Sequence, residues 1–419
     1  MLNATEYSSS SVDLVRPVGA FERLFFRYGM RNPVHFTVIA EFGTRLDIDL
    51  VQQSLLAAQR RHPLLSVHVE DRPGTRLGFY RPKCVAPVDL VVRRCEDSNW
   101  APLVSSELTR PFDCARAPLI RAVVAINPMV SALLLTFDHT VADGISSMVV
   151  LRDVVDGLSG SPMTHLPVPA SQEQLIDLML PRIDEFDDSK IASDGQSPCP
   201  KSLRLFDEVP TQVQALEMSA SETACLVHRC HVEETTVHGA IVTAACRVRS
   251  LDHGEYFPVR VESPINFRSH INVVDDCANY FMASLTEVLP WENLFWDVAR
   301  IVSERLAVLR SPRAIVLSSQ QIRQAMPVDA GAGDAERLFA SVMPHDLLIT
   351  NLGVLQIPEQ ANIRPTAIWG PFTQGHIEGE HVVGVVTYDG KLRMTACGYN
   401  LKPGFLQRVS DYMTLFAGR

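Results

Sequence analysis

Apolar residues follow two rhythms along this chain, and the alternation between them outlines an α/β protein. Residues 34–42, VHFTVIAEF, alternate and are rich in β-branched and aromatic side chains, which predicts a strand. The next stretch, 50–61, places Leu50, Val51, Ser54, Leu55 and Ala58 on one helical face. Pro63 ends that helix, because the residue before a proline resists the helical region. Strands are expected at 64–70, 77–80 and 88–92, a helix at 101–109, and two buried strands at 120–126 and 130–137. From Gly144 onward Ile145, Met148, Val149, Val155 and Leu158 recur at helical spacing, and Gly160 stops the run. The order strand, loop, helix around residues 138–144 is therefore readable from the pattern alone.

Residues 161–200 are rich in Pro, Ser and Asp and lose apolar periodicity after Leu180, which predicts a crossing between two halves. The expected division is 1–170 for an N-terminal α/β half, 171–200 for the linker and 201–419 for a C-terminal α/β half. In the latter, helices are expected at 221–229, 237–251 and 294–309, and strands at 256–264, 346–351, 381–388 and 392–399. Asp389-Gly390 supplies a hairpin turn between the last two strands, and a helix closes the chain. No sequence repeat is visible.

Length supports the same division, since 419 residues exceed one ordinary core. A hydrophobic share of 46% with 21% charged residues is that of a globular protein. The net charge of −10 argues against a nucleic-acid binder, because phosphate neutralisation needs a positive surface. It leaves room for an acidic carrier protein docking on a local basic patch. Arg60-Arg61, Arg93-Arg94, and Arg300, Arg305, Arg310 and Arg313 are the candidates, although arginines so spaced read first as solvated helix faces. Nine cysteines without a CxxC pair predict reduced, mostly buried thiols in a cytoplasmic protein. The first fifteen residues lack a signal-peptide pattern, and no apolar run approaches the roughly 20 residues that span a bilayer.

The chemistry gathers in Asp138-His139-Thr140-Val141-Ala142-Asp143-Gly144. An imidazole is half-poised near neutrality and suits proton removal from an alcohol or amine. Asp143 is placed to fix the loop or the ring, and Gly144 permits a close approach. Taken bare, the spacing also fits a surface histidine beside a helix-capping Asp143. A third reading makes Asp138, His139 and Asp143 metal ligands, but no further histidine stands nearby at helical spacing. No GxSxG is present, and Gly331-Ala332-Gly333 lacks the lysine and the other glycines of a phosphate loop. His35, His62, His68, His228, His231 and His238 have no companion motif and read as structural or surface residues.

DHTVADG resembles the HHxxxDG motif of the condensation-domain and chloramphenicol-acetyltransferase-like superfamily. Other stretches agree with it in order: 46–65, LDIDLVQQSLLAAQRRHPLL; Arg110-Pro111-Phe112-Asp113 with Ala117-Pro118-Leu119-Ile120-Arg121; Pro264-Ile265-Asn266-Phe267-Arg268; Asn279-Tyr280-Phe281; and Ile349-Thr350-Asn351-Leu352-Gly353. The match runs from about residue 20 to 400 and looks closest to the polyketide-associated acyltransferases, the group of the phthiocerol/phthiodiolone dimycocerosyl transferases. The resemblance implies two chloramphenicol-acetyltransferase-like α/β halves set as a V, with the active site at their junction. A thioester donor, on an acyl carrier protein or coenzyme A, and a hydroxyl-bearing acceptor would enter from opposite faces. No metal or organic cofactor is expected, and both halves in one chain imply a monomer.

By the same resemblance His139 is the general base, Gly144 the motif glycine, and Asp143 a structural carboxylate paired with an arginine, for which Arg268 is the candidate. Asp138 departs from the pattern, standing where the family has its first histidine. Close to the ring it would raise the pKa of His139; facing away it would not act on it. Thr350 and Asn351 are the positions to stabilise a tetrahedral oxyanion, unless Asn351-Leu352-Gly353 is only a tight turn. Asn279, Tyr280 and Phe281 are expected as tunnel wall or core. The function implied is O-acyl transfer to a polyketide, lipid or other secondary metabolite. The alternatives are a catalytically retired protein that binds a carrier, or the same fold performing amide formation or cyclisation.

Overall fold

In a computed structural model, residues 12–72, 76–95, 99–186, 199–254, 257–357 and 362–418 are described. Two larger sheets organise them. The first has five strands, in the order Ala367–Thr373, His35–Phe42, Ser131–Asp138, Ile120–Ile126 and Asp89–Arg94. The second has six, in the order Leu285–Val288, Val259–Glu262, Leu347–Val354, His381–Tyr388, Lys391–Gly398 and Gln212–Glu217.

The strand rhythm explains why the first sheet is buried on both faces. Phe36, Val38, Ala40, Leu133, Leu135 and Phe137 point to one side and join the main core. Helices Ile48–Arg61 and Gly144–Leu158 pack together within this half. Ile39, Val123, Ala125 and Leu134 point to the other side, where they meet Trp100, Val104 and Leu108 of helix Ala101–Leu108 and its cap. Period-two alternation thus feeds two cores from one sheet.

Most expected elements are present, several with shifted ends. Asp47 starts the first predicted helix by accepting hydrogen bonds from the Asp49 and Leu50 amides. Asp389 and Gly390 both take positive φ, 52° and 71°, and join Tyr388 to Lys391 in the expected hairpin. One expectation is corrected for a physical reason. The strand expected at 64–70 begins instead as a 3-10 turn at Pro63–Ser66, because Pro63 fixes a helical start and Leu64 and Leu65 bury against the core. Part of the supposed linker is ordered: Ser171 caps helix Gln172–Met179 through a capping box with Gln174. Residues 187–198 of that linker, and Tyr256 at the start of the strand expected at 256–264, lie outside the described residues, as does most of the N-terminal stretch searched for a signal. The thiols are unpaired but not mostly buried, since only Cys230, Cys246, Cys277 and Cys397 of the nine are buried.

Strand Ala367–Thr373 is absent from the sequence-based expectations, and it ties the halves together. It comes from the C-terminal part of the chain yet hydrogen-bonds to His35–Phe42 in the first sheet. Gly370-Pro371 interrupts its sequence and breaks its register between Trp369 and Phe372. At the break Pro371 O accepts a hydrogen bond from Thr395 Oγ1 at 3.2 Å, in the second sheet. Gly384 lets the two sheets approach: a Cβ there would sit 2.1 Å from Pro371 O. No helix among the described residues is long and apolar enough to cross a membrane.

Gly384→Ala should therefore push the sheets apart at this seam. The expected loss is about 1–3 kcal/mol of unfolding free energy, typical of overpacking against backbone, measured as a shift of the urea midpoint with unchanged slope.

Candidate active site

Strand Ser131–Asp138 ends against its neighbours, and the chain turns at His139 into helix Gly144–Leu158. Backbone bonds fix that turn: His139 N–H donates to Val34 O at 3.1 Å, and Val141 N–H to Asp138 O at 3.2 Å. The Asn279 carboxamide donates to His139 O at 2.8 Å and Thr140 O at 3.2 Å. Asn279 therefore holds the motif loop rather than lining a tunnel. Tyr280 is core and Phe281 is wall, as expected.

Asp143 is the N-cap of the helix, accepting from Ser146 N–H at 2.8 Å. Its carboxylate also takes a two-pronged contact from Arg268, at 2.8 and 2.9 Å, and the Tyr280 N–H at 2.9 Å. Arg268 reaches on to Ser146 Oγ at 2.9 Å and Ala278 O at 3.1 Å. Burial alone would raise the Asp143 carboxyl, but the Arg268 charge and these hydrogen bonds outweigh it and hold it below the usual range. The helix-cap reading and the arginine-pair reading are both realised by one side chain.

His139 occupies a different environment. The Phe25 ring stacks on it at 4.1 Å between centroids and 4° between planes, with Phe36 and Phe281 on other sides. Nδ1 is buried without a hydrogen-bond partner, and the residue lines the cavity. Burial lowers the imidazole pKa to about 4, against smaller raising effects that include the charge of Asp143. The ring is thus neutral at pH 7 and able to accept a proton. Asp138 faces away from it: its carboxylate accepts from Thr140 N–H at 2.9 Å and lies 3.6 Å from Cys114 Sγ. Burial raises that carboxyl.

The cavity of about 250 Å³ beside His139 draws on both parts of the chain. His139, Asp143, Gly144, Thr350 and Asn351 all line it; Arg268 sits behind Asp143, and Asp138 is not among the lining residues. Gly144 admits Leu352 from strand Leu347–Val354, where a Cβ would stand 2.6 Å from Leu352 Cδ2. Asn351 Oδ1 accepts Gly353 N–H at 2.9 Å and Gly353 has φ 76°, so the strand shifts register between Asn351 and Val354 rather than ending in a tight turn.

Much of the wall comes from residues outside the sequence-based set. Helix Ala20–Gly29 contributes Phe21, Leu24 and Phe25. Their spacing of three and four, continuing to Tyr28, is a legible helical stripe. The helix is anchored at its start by Glu22, which accepts Gly19 N–H and the Arg16 guanidinium, and by Glu173, which accepts Phe21 N–H at 2.8 Å. Opposite lies a buried cluster of Glu262, His345 and Glu380. Burial opposes charge on His345, but Glu262 and Glu380, each 2.9 Å away, push it up to about 10. His238 instead is lowered to about 4 by burial and bonds Ser263 Oγ at 2.9 Å. His35 and His62 are held in the core by Glu107 O and Asp153, in keeping with structural roles.

These charges have measurable consequences. Arg268→Met leaves Asp143 buried without its partner, which should cost about 3–5 kcal/mol in denaturant unfolding; adding Asp143→Asn should restore part of it. His345 has a folded pKa above its unfolded value of about 6.5. Its contribution is therefore complete below about pH 6.5 and is lost as pH rises toward about 10. Urea midpoints compared at about pH 7 and about pH 9.5 should fall further for the unaltered protein than for His345→Gln.

No family model matches the chain. In sequence it is 31% identical over 115 residues, 26% of its length, to one of the linear gramicidin synthase proteins of Brevibacillus parabrevis. It is 28% identical over 141 residues to a nonribosomal peptide synthetase of Penicillium thymicola. These matches span only 2% and 5% of those much longer proteins. Solved structures match along the whole length. Polyketide synthase associated protein 5 from Mycobacterium tuberculosis aligns with a TM-score of 0.67 at 15% identity, covering 97% of this chain and 98% of that one. Trichothecene 15-O-acetyltransferase from Fusarium sporotrichioides gives 0.65 at 12% identity, with 99% and 97% covered. The condensation domain of the monacolin K polyketide synthase gives 0.63 at 12%, with 98% of each chain covered. The protein shares the α/β fold of these condensation-domain and acyltransferase structures.

Proposed function

We propose that this protein is an acyltransferase that moves an acyl group from a thioester, on an acyl carrier protein or coenzyme A, to a hydroxyl of a polyketide, lipid or other secondary metabolite. The observation that carries the reading is the His139 ring at the wall of the cavity, stacked on Phe25, with the neighbouring Asp143 carboxylate taken up by Arg268. Such a ring accepts the acceptor's hydroxyl proton as the oxygen attacks the thioester carbonyl. The tetrahedral oxyanion then collapses, the carbon–sulfur bond breaks, and the imidazolium returns the proton to the departing thiolate.

Each neighbouring group has a part in this scheme. Asp143 is engaged by Arg268 and the helix cap, so it fixes the loop rather than sharing the proton. Thr350 and Asn351 line the same cavity and are the donors we assign to the oxyanion. Asp138 stands apart from the ring, so its replacement of the family's first histidine leaves the base intact. That favours catalysis over a retired, carrier-binding role. The division into halves at 1–170 and 201–419, joined by 171–200, is part of the same proposal, with the strand Ala367–Thr373 lent to the first half.

The test is direct. The purified protein and its His139→Ala variant are incubated with a panel of acyl-coenzyme A thioesters, an acylated carrier protein and mixed alcohols, and esters are read by mass spectrometry. Ester from the intact protein and a drop of about 100- to 10,000-fold in the variant are expected, with unfolding midpoints alike. Equal turnover in both would remove His139 from the chemistry.

A further inference from the structure

The stretch Pro264-Ile265-Asn266-Phe267-Arg268 supplies Arg268 to the motif loop, and the acyl-transfer scheme leaves Asn266 without a task. Asn266 lies in a two-residue ladder, Ile265–Asn266 against Phe281–Met282, in which it is the direct partner of Phe281. Directly paired residues put their side chains on the same side of a ladder. Ile265 and Met282 share the side that joins the main core. Asn266 and Phe281 share the other; both line the cavity, and the Phe281 ring lies 5.6 Å from that of His139 between centroids. Strand Val259–Glu262, just before the ladder, runs parallel to Leu347–Val354 with Glu262 opposite Leu348. Chain direction thus carries Asn266 and, on the neighbouring strand, Thr350 and Asn351 toward the same end of the sheet, where all three line the cavity. That is the end at which open α/β sheets hold their ligands.

The orientation of the Asn266 carboxamide is fixed by its partners. One terminal atom receives the Arg268 N–H at 3.1 Å and faces Arg268 Nη1 at 3.4 Å. Both are donors, so the atom between them is the oxygen, and the other is the amide nitrogen with its two N–H groups. Among the described residues no acceptor takes those N–H groups, and the side chain is exposed where it lines the cavity. Arg268 is itself held by Asp143, so the carboxamide is oriented before a substrate arrives. Donors oriented in advance are what stabilise charge developing on a carbonyl oxygen.

We propose that Asn266 donates its free carboxamide N–H to the thioester carbonyl oxygen as that oxygen becomes the tetrahedral oxyanion, alongside Thr350 and Asn351. The inference rests on reading the cavity as an acyl-transfer site. Asn266 moves no proton: the hydroxyl proton goes to His139 and on to the departing thiolate. Its two ends serve one network, the oxygen held by the arginine that fixes the motif loop and the nitrogen turned to the substrate.

Two substitutions remove the donor and keep the turn to Arg268. Asn266→Asp retains an oxygen for the Arg268 N–H, and Asn266→Ser retains a shorter, neutral one. With hexanoyl-coenzyme A and hexanol both variants should lose about 100- to 1,000-fold in kcat, the cost of one oxyanion donor, with KM changed little. Full activity in Asn266→Ser overturns the proposal, because loss in the aspartate variant alone marks charge repulsion. A loss expressed only in KM overturns it too, since that marks ground-state binding of another group. A second measurement needs no turnover. The unreactive ketone in which a methylene replaces the sulfur of hexanoyl-coenzyme A, isotopically labelled at its carbonyl carbon, is bound to each protein and its carbonyl stretch is read by infrared difference. The stretch should lie below that of an unbonded ketone in the unaltered protein and rise toward it in the variants. An unbonded stretch in the unaltered protein, or a ketone that does not bind it, overturns the proposal whether or not the variants fold; an equal stretch in all three proteins does the same. Should the unaltered protein form no ester, that result counts against the acyl-transfer reading, and the ketone alone decides on Asn266.

Discussion

The contact between Asp143 and Arg268 joins stretches of chain 125 residues apart and sets the position of everything around it. One carboxylate caps the helix after the motif loop, takes both prongs of the guanidinium, and receives the Tyr280 N–H. Moving it would release the start of that helix, the turn that holds Arg268, and the segment from which Asn279 grips the loop. A buried pair of this kind is weak as a source of net stability, because desolvation offsets most of the attraction. Its value lies in geometry: few other arrangements satisfy so many buried donors at once.

With that loop fixed, the state of His139 follows from its surroundings rather than from a charged partner. Asp143 is turned to Arg268, Asp138 is turned to Thr140 and Cys114, and aromatic rings cover the imidazole. Desolvation then governs and keeps the ring neutral. On the cavity's other flank the same physics runs in reverse for His345, where two carboxylates overcome burial and keep the ring charged. One cavity thus holds a neutral imidazole and a cationic one. The difference comes from which acidic side chains reach each ring.

The motif is legible in the sequence because its parts are local. Asp138 to Gly144 lie within seven residues between a strand and a helix, and both elements announce themselves by their period. Arg268 is legible only through resemblance, since nothing in the spacing of PINFR points at a residue 125 positions earlier. Helix Ala20–Gly29 carries a readable stripe of Phe21, Leu24, Phe25 and Tyr28, yet nothing in that stripe says that it faces His139. Strand Ala367–Thr373 is hidden by Gly370-Pro371, which breaks the alternation that marks a strand. Glu262, His345 and Glu380 share no local pattern at all, and only the convergence of separate strand ends brings them together.

The central claim is that His139 is an uncharged imidazole, its pKa depressed by burial. Ring-nitrogen NMR of the histidine-labelled protein, assigned by comparison with His139→Gln, measures this directly across a pH titration. The account predicts a neutral ring at pH 7 and a midpoint at about 4. A midpoint at or above the ordinary value of about 6.5 would contradict it, and would mean that a carboxylate, rather than the aromatic wall, controls the ring.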